Sequence, residues 1–176
     1  MRRFLLVDDE INILQALQRT LRQKIRDEEF LMELYTDPRQ ALQRTSEVAF
    51  DLVISDFHMP QMNGVEFLEQ VRNAQPDAVR LMLSASADFD TIINAVNRAE
   101  VFRYITKPWT ATELEEIIRL SLQRRDKAME DRRLADQVRV QCGALTPQEL
   151  EARRLEEDEP GITKVTWGPD GSVMLD

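Results

Sequence analysis

Asp56 stands just beyond a short apolar run, and its carboxylate is the group best placed to do chemistry in this 176-residue chain. The run Leu52-Val53-Ile54 is typical of a strand that is buried on both faces of a parallel sheet. Asp56 then falls at the carboxyl end of that strand, where open α/β sheets bind their ligands. Taken alone, an aspartate in this place is more often a turn former or a helix cap, so the rest of the chain has to decide between the two roles.

Three other apolar runs also end on polar groups that can do chemistry. The runs at 4–7, 79–83 and 101–105 are followed by Asp8 and Asp9, by Ser84, and by Thr106 and Lys107. For Asp8 and Asp9 the alternative role is to place negative charge at the start of a helix, because helical spacing begins at Ile11. The same kind of position recurs after four strands, and that recurrence favours a shared site.

The elements that must position these residues alternate along the first 120 residues or so. The patterns predict strands at 4–7, 30–35, 51–55, 79–83 and 101–105, and helices at 11–24, 38–48, 65–73 and 90–99 and from 112 onward. Such alternation predicts a parallel sheet with helices on both faces. Right-handed crossovers bring all the strand ends to one edge of that sheet. We therefore expect Asp8, Asp9, Asp56, Ser84 and Lys107 to meet there.

The group that converges at this edge is suited to phosphoryl chemistry. Three carboxylates without a partner repel one another, so they predict a hard divalent cation with oxygen ligands, with Mg²⁺ the best candidate. Lys107 and the hydroxyl of Ser84 would neutralise and hydrogen-bond the oxygens of a phosphoryl group. An ionised aspartate in this setting can attack phosphorus and form an acyl phosphate.

Four short motifs, taken together, resemble one family. They are Asp8-Asp9, the run Asp56-x-x-Met59-Pro60-x-x-x-Gly64, Ser84-Ala85 and Lys107-Pro108. In this register they resemble the receiver domain of bacterial two-component response regulators, over roughly Arg2 to Gln123. The resemblance implies a doubly wound, flavodoxin-like α/β fold with a five-stranded parallel sheet in the order 2-1-3-4-5.

The resemblance also implies roles for individual residues. Asp56 would accept the phosphoryl group from a sensor histidine kinase or a phosphotransfer protein, and Ser84 and Lys107 would contact its oxygens. Asp9, Asp56 and the backbone carbonyl of His58 would bind Mg²⁺ directly, with Asp8 acting through water. Ser84 and Tyr104 would form the switch, Ala85 would leave the phosphoryl group accessible, and His58 and Ser86 would tune its lifetime. Such a chain is not an enzyme beyond its own phosphotransfer and dephosphorylation.

Composition limits the other possibilities. The net charge of −9 argues against a general nucleic-acid surface and against binding to an anionic membrane. No apolar run approaches the roughly 20 residues of a membrane span, and Asp8 and Asp9 interrupt any signal peptide, so we expect a cytoplasmic protein. The single Cys142 excludes an internal disulfide and a thiolate metal cluster, and the lone His58 cannot make a zinc site by itself.

The chain beyond the receiver region has its own pattern. We predict a receiver domain at 1–123, a helical extension at 124–142 and a tail at 143–176 with a short helix and a β-hairpin. The extension is charged, with Met129 its only large apolar residue up to Arg133, so a solvated linker helix competes with a coiled coil. Thr146 and Glu149 have capping-box spacing, and Pro169-Asp170-Gly171 is a hairpin turn signal. We expect the tail to support a homodimer or to dock another protein.

Three functions compete at this point. The first is a phosphorylation switch that changes protein contacts or dimerisation. The second is the receiver portion of a longer regulator with a DNA-binding or signalling-enzyme output, which a reading frame continuing past Asp176 would favour. The third is a magnesium-dependent phosphatase, but the Asp-x-Asp-x-Thr/Val opening of those enzymes is absent. The sequence favours the first.

Overall fold

The computed structural model describes residues 1–25, 29–85, 97–158, 160, 162, 166–167 and 173–174. Its strands are β1 (Arg2–Val7), β2 (Phe30–Tyr35), β3 (Leu52–Asp56), β4 (Val79–Ser84), β5 (Arg103–Thr106), β6 (Thr166–Trp167) and β7 (Val173–Met174). Its helices are α1 (Ile11–Lys24), α2 (Pro38–Thr45), α3 (Gly64–Ala74), α4 (Ala111–Gln141) and α5 (Pro147–Asp158). Residues 97–99 are also helical, and the rest of the helix predicted at 90–99 lies outside the described residues.

The first five strands form one parallel sheet in the order β2-β1-β3-β4-β5, which confirms the predicted fold class. Leu6 lies beside Ile54, and Ile54 lies beside Leu81, so the sheet centre is apolar across its strands. Successive residues of β1 point to opposite faces. Leu5 joins a core with Phe67 of α3, whereas Phe4 joins a second core with Leu17 of α1. Helices therefore cover both faces, as the strand pattern predicts.

Caps fix where the helices next to the sheet edge begin. The side chain of Asp37 accepts a hydrogen bond from the backbone N–H of Arg39, at 2.8 Å, with Pro38 in the first turn. The side chain of Asn63 accepts one from the N–H of Glu66, at 2.9 Å. Each cap satisfies an N–H that the helix leaves unpaired, so α2 and α3 start at defined points after β2 and β3.

One polar side chain interrupts the apolar pattern predicted for β4. Arg80 is 5% exposed, and its guanidinium donates to the carbonyl oxygens of Ala99 at 2.8 Å and Ala78 at 2.7 Å. Burial lowers the pKa of Arg80, against the raising effect of nearby Glu100. The residue therefore joins β4 to the segment that precedes β5.

The long helix α4 continues well past the receiver region. It runs from Ala111 to Gln141 without a break, so the predicted limit at residue 123 falls inside it, and the proposed division stays a prediction. Three ion pairs join α4 to the amino-terminal edge of the sheet. They link Arg125 to Asp51 at 2.7 Å, Asp126 to Arg2 at 2.8 Å, and Arg132 to Asp77.

The tail turns back after α4. Gly143 has a φ of +71°, a conformation that favours glycine, and the N–H of Ala144 donates to the carbonyl of Arg139 at 2.8 Å. The predicted capping box is confirmed, because the N–H of Glu149 donates to the Thr146 hydroxyl at 3.2 Å and Thr146 donates back to Glu149 at 2.8 Å. β6 and β7 pair antiparallel, and the predicted turn between them lies outside the described residues.

None of the helices in the described part of the chain has both the length and the apolar composition of a membrane span.

Candidate functional site

Four strand ends deliver the predicted site residues to one edge of the sheet. Asp8 follows β1, Asp56 is the last residue of β3, Ser84 is the last residue of β4, and Lys107 follows β5. Asp8, Asp56 and Ser84 are 1%, 5% and 3% exposed. The structure therefore brings these residues together in a largely buried cluster, which is the arrangement that the parallel topology predicts.

The ammonium of Lys107 lies between two buried carboxylates. Its Nζ is 2.7 Å from Oδ2 of Asp8 and 2.6 Å from Oδ1 of Asp56. Burial by itself lowers the pKa of Lys107, but hydrogen bonds to Asp56 and Asp8 outweigh burial and raise the pKa above its ordinary value. Lys107 therefore carries its positive charge throughout the physiological pH range.

Backbone amides hold the second oxygen of each carboxylate. The N–H of His58 donates to Oδ2 of Asp56 at 2.8 Å, and the N–H of Glu10 donates to Oδ1 of Asp8 at 2.9 Å. Burial raises the pKa of Asp8, and the hydrogen bond from Lys107 opposes this only in part. Both carboxylates are thus fixed in orientation, while the negative charge at Asp8 remains costly to the fold.

Asp9 supplies a third carboxylate from the solvent side. One ligand oxygen from each of Asp8, Asp9 and Asp56 lies within 4.8 Å of the other two. Asp9 is exposed and the other two are buried, so the cluster opens towards solvent on one side. A set made only of carboxylate oxygens fits a hard divalent cation, and the single ammonium of Lys107 leaves the cluster with excess negative charge.

Two residues without a predicted chemical role hold the backbone of Asp56. A Cβ at Gly64 would overlap the carbonyl oxygen of Asp56, so only glycine fits where α3 begins. The buried hydroxyl of Ser55 donates to the same carbonyl oxygen at 2.9 Å. Gly64 enters the sequence prediction only as the last residue of the motif that begins at Asp56, and nothing in the sequence points to Ser55.

The predicted switch residues lie next to each other on β4 and β5. The hydroxyl of Tyr104 donates to the backbone carbonyl of Ser84 at 3.5 Å, and the N–H of Lys107 donates to the same oxygen at 2.9 Å. Tyr104 is half-buried and packs against the core that contains Phe67.

Of the two residues predicted to tune the lifetime of the acyl phosphate, the structure describes one. The side chain of His58 is exposed, and its ring meets the ring of Phe57 edge-on with centroids 4.5 Å apart. Ser86 lies outside the described residues. Only His58 can therefore be placed, one residue beyond Phe57 at the rim of the acidic cluster.

Comparison with known proteins finds receiver domains that match this chain in sequence and in fold. The family model described as "Response regulator receiver domain" matches residues 4–119. The signal receiver domain of an HD domain-containing protein from Pseudomonas fluorescens superposes with a TM-score of 0.66 and 34% identity, covering 72% of this chain and 98% of that one. A response regulator receiver domain protein (CheY-like) from Methanospirillum hungatei gives a TM-score of 0.66 with 26% identity, covering 73% of this chain and 98% of that one.

Curated relatives are similar over the same region. The hydrogenase transcriptional regulatory protein HoxA of Cupriavidus necator is 35% identical over 119 residues, which are 68% of this chain and 24% of HoxA. The regulatory protein AtoC of Escherichia coli is 30% identical over 132 residues, which are 75% of this chain and 28% of AtoC. The chain thus spans about a quarter of the length of these relatives.

Proposed function

The chain belongs to the response regulator receiver family, and on that premise we propose that Asp56 accepts a phosphoryl group from the phosphohistidine of a sensor kinase or a phosphotransfer protein. One observation carries the proposal: Lys107 contacts Asp8 and Asp56 together, and Asp9 adds a third carboxylate to the cluster. A site with this charge balance is suited to gain a cation and an anionic group together.

The phosphotransfer step follows from the position of Asp56. A carboxylate oxygen of Asp56 forms a bond with phosphorus while the phosphorus–nitrogen bond of the donor breaks, and the imidazole leaves with the electron pair. Lys107 then pairs with a phosphoryl oxygen, and the hydroxyl of Ser84 donates to another. The chain thereby catalyses its own phosphorylation, and later its own dephosphorylation, in which water attacks phosphorus and the Asp56 carboxylate leaves.

The metal in this proposal is Mg²⁺. Asp9, Asp56 and the backbone carbonyl of His58 would hold it, with Asp8 acting through water. When bound, Mg²⁺ neutralises charge on the carboxylates and on the phosphoryl oxygens. The oxygen-only ligand set and the excess negative charge of the cluster support this choice.

The switch in this proposal joins Ser84 to Tyr104. When the Ser84 hydroxyl turns to the phosphoryl group, the space beside β5 changes and the Tyr104 ring turns inward, which alters the surface next to β5. The contact of the Tyr104 hydroxyl with the Ser84 carbonyl places the two residues within reach of each other. His58 and Ser86 would set the lifetime of the acyl phosphate through the approach of water.

We propose further that the output is a change in protein contacts, including self-association through α4 and the tail. The alternative is that this region is the receiver of a longer regulator. The 24% coverage of HoxA, which is named as a transcriptional regulatory protein, favours that alternative. DNA binding by the product of the complete reading frame would distinguish the two outputs, and the phosphorylation chemistry would be the same in both.

A small phosphodonor tests the phosphoacceptor directly. With Mg²⁺ present, we expect the intact mass of the wild type to rise by one phosphoryl group and that of Asp56→Asn to stay unchanged. Asp37→Asn is the matched control, because an asparagine keeps the N-cap of α2 and leaves the acidic cluster intact. Equal incorporation in the wild type and in Asp56→Asn would show that the phosphoacceptor is another residue.

A further inference from the structure

One face of the long helix α4 is exposed from Leu120 onward. Leu120, Leu134 and Val138 are 40%, 55% and 57% exposed, although all three are large and apolar. They lie on the same side of α4, because 14 and 18 residues correspond to about four and five helical turns. Ile118 and Asp136 lie on the opposite side and are buried, Ile118 in the receiver core and Asp136 beside Arg153 of α5.

The exposed side continues between these apolar residues as a regular stripe. We call it the outer seam, and its members follow one another at alternating distances of three and four residues. It consists of Leu120, Arg124, Lys127, Asp131, Leu134, Val138 and Gln141, whereas Ile117, one step earlier, is half-buried against the receiver core. This spacing is the one by which two helices pack along their length. The large apolar residue of the charged stretch, Met129, lies on the other side of the helix and does not belong to the seam.

The charges in the middle of the outer seam decide how two copies can meet. If two copies pack parallel, Arg124, Lys127 and Asp131 each face their own counterpart, and all three contacts are between like charges. If they pack antiparallel about position 129, residues equally far from that position meet. Lys127 then faces Asp131 of the other copy, twice per dimer, and this pairing is favourable.

The rest of the seam fits the antiparallel arrangement too. Leu120 meets Val138 of the other copy. The guanidinium of Arg124 lies 4.9 Å from the centroid of the Phe102 ring in its own receiver, so its aliphatic stem is the part that lies over Leu134 of the other copy. In the described part of the chain, neither Lys127 nor Asp131 forms an ion pair, so both are available to a partner. The receiver core and α5 contact the opposite side of α4 through Ile118 and Asp136, and the receiver reaches the flank of the seam at Arg124, so two copies approach with their receivers outward.

We propose that the outer seam is a self-association surface on which two copies of this chain pack antiparallel about position 129. The inference rests on the proposed self-association through α4 and gives it a face, a register and an orientation. It does not depend on Asp56, since none of the seam residues belongs to the acidic cluster. Phosphoryl incorporation measured in the same samples therefore reports separately on the phosphoacceptor.

Charge exchange tests the register. Sedimentation equilibrium of the full chain, with and without Mg²⁺ and beryllofluoride, should show a monomer–dimer equilibrium. Lys127→Asp and Asp131→Lys should each weaken it by about tenfold, and the double exchange should restore it. In a parallel dimer every variant still places like charges together, so equal association of wild type and both single variants would overturn the antiparallel register.

A substitution at an apolar seam residue tests the surface itself. Leu134→Glu should abolish the dimer, and an unchanged dimer in that variant would show that the outer seam is not the interface.

The native Cys142 gives a direct measurement of orientation. It is exposed, it is the only cysteine, and it caps the end of α4, so one spin label per chain needs no engineering. Pulsed electron spin resonance should give a distance of about 40 Å between labels in the antiparallel dimer, from the helical rise over the residues on either side of position 129. A distance below about 20 Å would show a parallel pair, and the absence of any dimer distance at high concentration would remove the interface.

Discussion

The two edges of the sheet both hold carboxylates beside cations, but their charge balance differs. At the carboxyl edge, Asp8 and Asp56 share the single ammonium of Lys107, and Asp9 adds a third carboxylate. At the amino edge each aspartate has its own arginine: Asp51 has Arg125, Asp126 has Arg2, and Asp77 has Arg132. Matched pairs attach α4 to the sheet, whereas the unmatched cluster has room for a cation and a phosphoryl group.

The carboxyl pKa values differ in the same way. Burial raises the pKa of Asp8 in spite of the hydrogen bond from Lys107. The hydrogen bond from Arg2 lowers the pKa of Asp126, and burial opposes this lowering only in part. Asp8 therefore costs the fold stability when it is charged, whereas charged Asp126 adds stability. A charged carboxylate that destabilises the fold is a better indicator of a functional site than one that stabilises it.

The largest expected effect comes from removing the shared ammonium. Without divalent cations, Lys107→Met should lower the free energy of unfolding by about 3 kcal/mol, because two buried carboxylates lose the cation that they share among the described residues. Arg125→Met is the matched variant at the amino edge and should cost about 1 kcal/mol, since Asp51 is partly solvated and also accepts the N–H of Arg3. Urea unfolding measures both. A larger loss in Arg125→Met than in Lys107→Met would reverse the comparison.

The next largest effect is the stabilisation by Mg²⁺, which should depend on the carboxylates of the carboxyl edge and not on those of the amino edge. Mg²⁺ at about a hundredfold excess over its dissociation constant should stabilise the wild type by about 2.7 kcal/mol. Asp9→Asn should lose most of this gain, because it removes one of the three clustered carboxylates. Asp77→Asn, at the amino edge, should keep it. Thermal unfolding with and without Mg²⁺ provides the measurement, and an equal gain in all three proteins would place the metal elsewhere.

Replacing an aspartate by asparagine should have a smaller effect on the free energy of unfolding, with opposite signs at the two edges. Without divalent cations, Asp8→Asn should raise the free energy of unfolding by about 1 kcal/mol, because it relieves repulsion in the cluster. Asp51→Asn should lower it by about 1 kcal/mol, because Arg125 loses its partner. If both variants shifted the urea midpoint in the same direction, the two edges would not differ in charge balance.

The smallest expected difference between the two edges is in the pKa values of their carboxyl groups. By carboxyl NMR without divalent cations, Asp8 should titrate above its ordinary pKa of 3.8 and Asp126 below it. Asp8 then contributes stability below pH 3.8 that is lost as the pH rises through its folded pKa, whereas Asp126 contributes stability above pH 3.8 that is lost as the pH falls through its folded pKa. Arg2→Gln should move Asp126 back towards 3.8 and leave Asp8 in place. Midpoints on the same side of 3.8 would contradict the comparison.

The carboxyl edge could be predicted from the sequence because short-range patterns determine it. A buried parallel strand is a continuous apolar run, and the residue after it must lie at the sheet edge, so Asp8, Asp56 and Lys107 could be placed by counting. Such patterns do not show close backbone approach. The contact between Gly64 and the Asp56 carbonyl therefore comes only from the structure.

The amino edge could not be predicted, because it depends on how the long helix lies against the sheet. Arg2 and Asp126 are 124 positions apart, and no local pattern relates them. The burial of Arg80 in an otherwise apolar strand could not be predicted for a similar reason, since its partners are the backbone carbonyls of Ala99, which lies 19 positions away, and of Ala78. β5 also begins two residues later than predicted, at Arg103, because Val101 packs in the core without joining the ladder.

The central claim is that Asp56 carries the phosphoryl group, and mapping the modified residue tests it most directly. The protein would be treated with a small phosphodonor and Mg²⁺, and the acyl phosphate reduced with borohydride, which converts a phosphorylated aspartate into homoserine. Peptide mass spectrometry should then find homoserine at position 56 and an unmodified aspartate at positions 8, 9 and 51. Homoserine at any of these other positions, with Asp56 unchanged, would contradict the assignment.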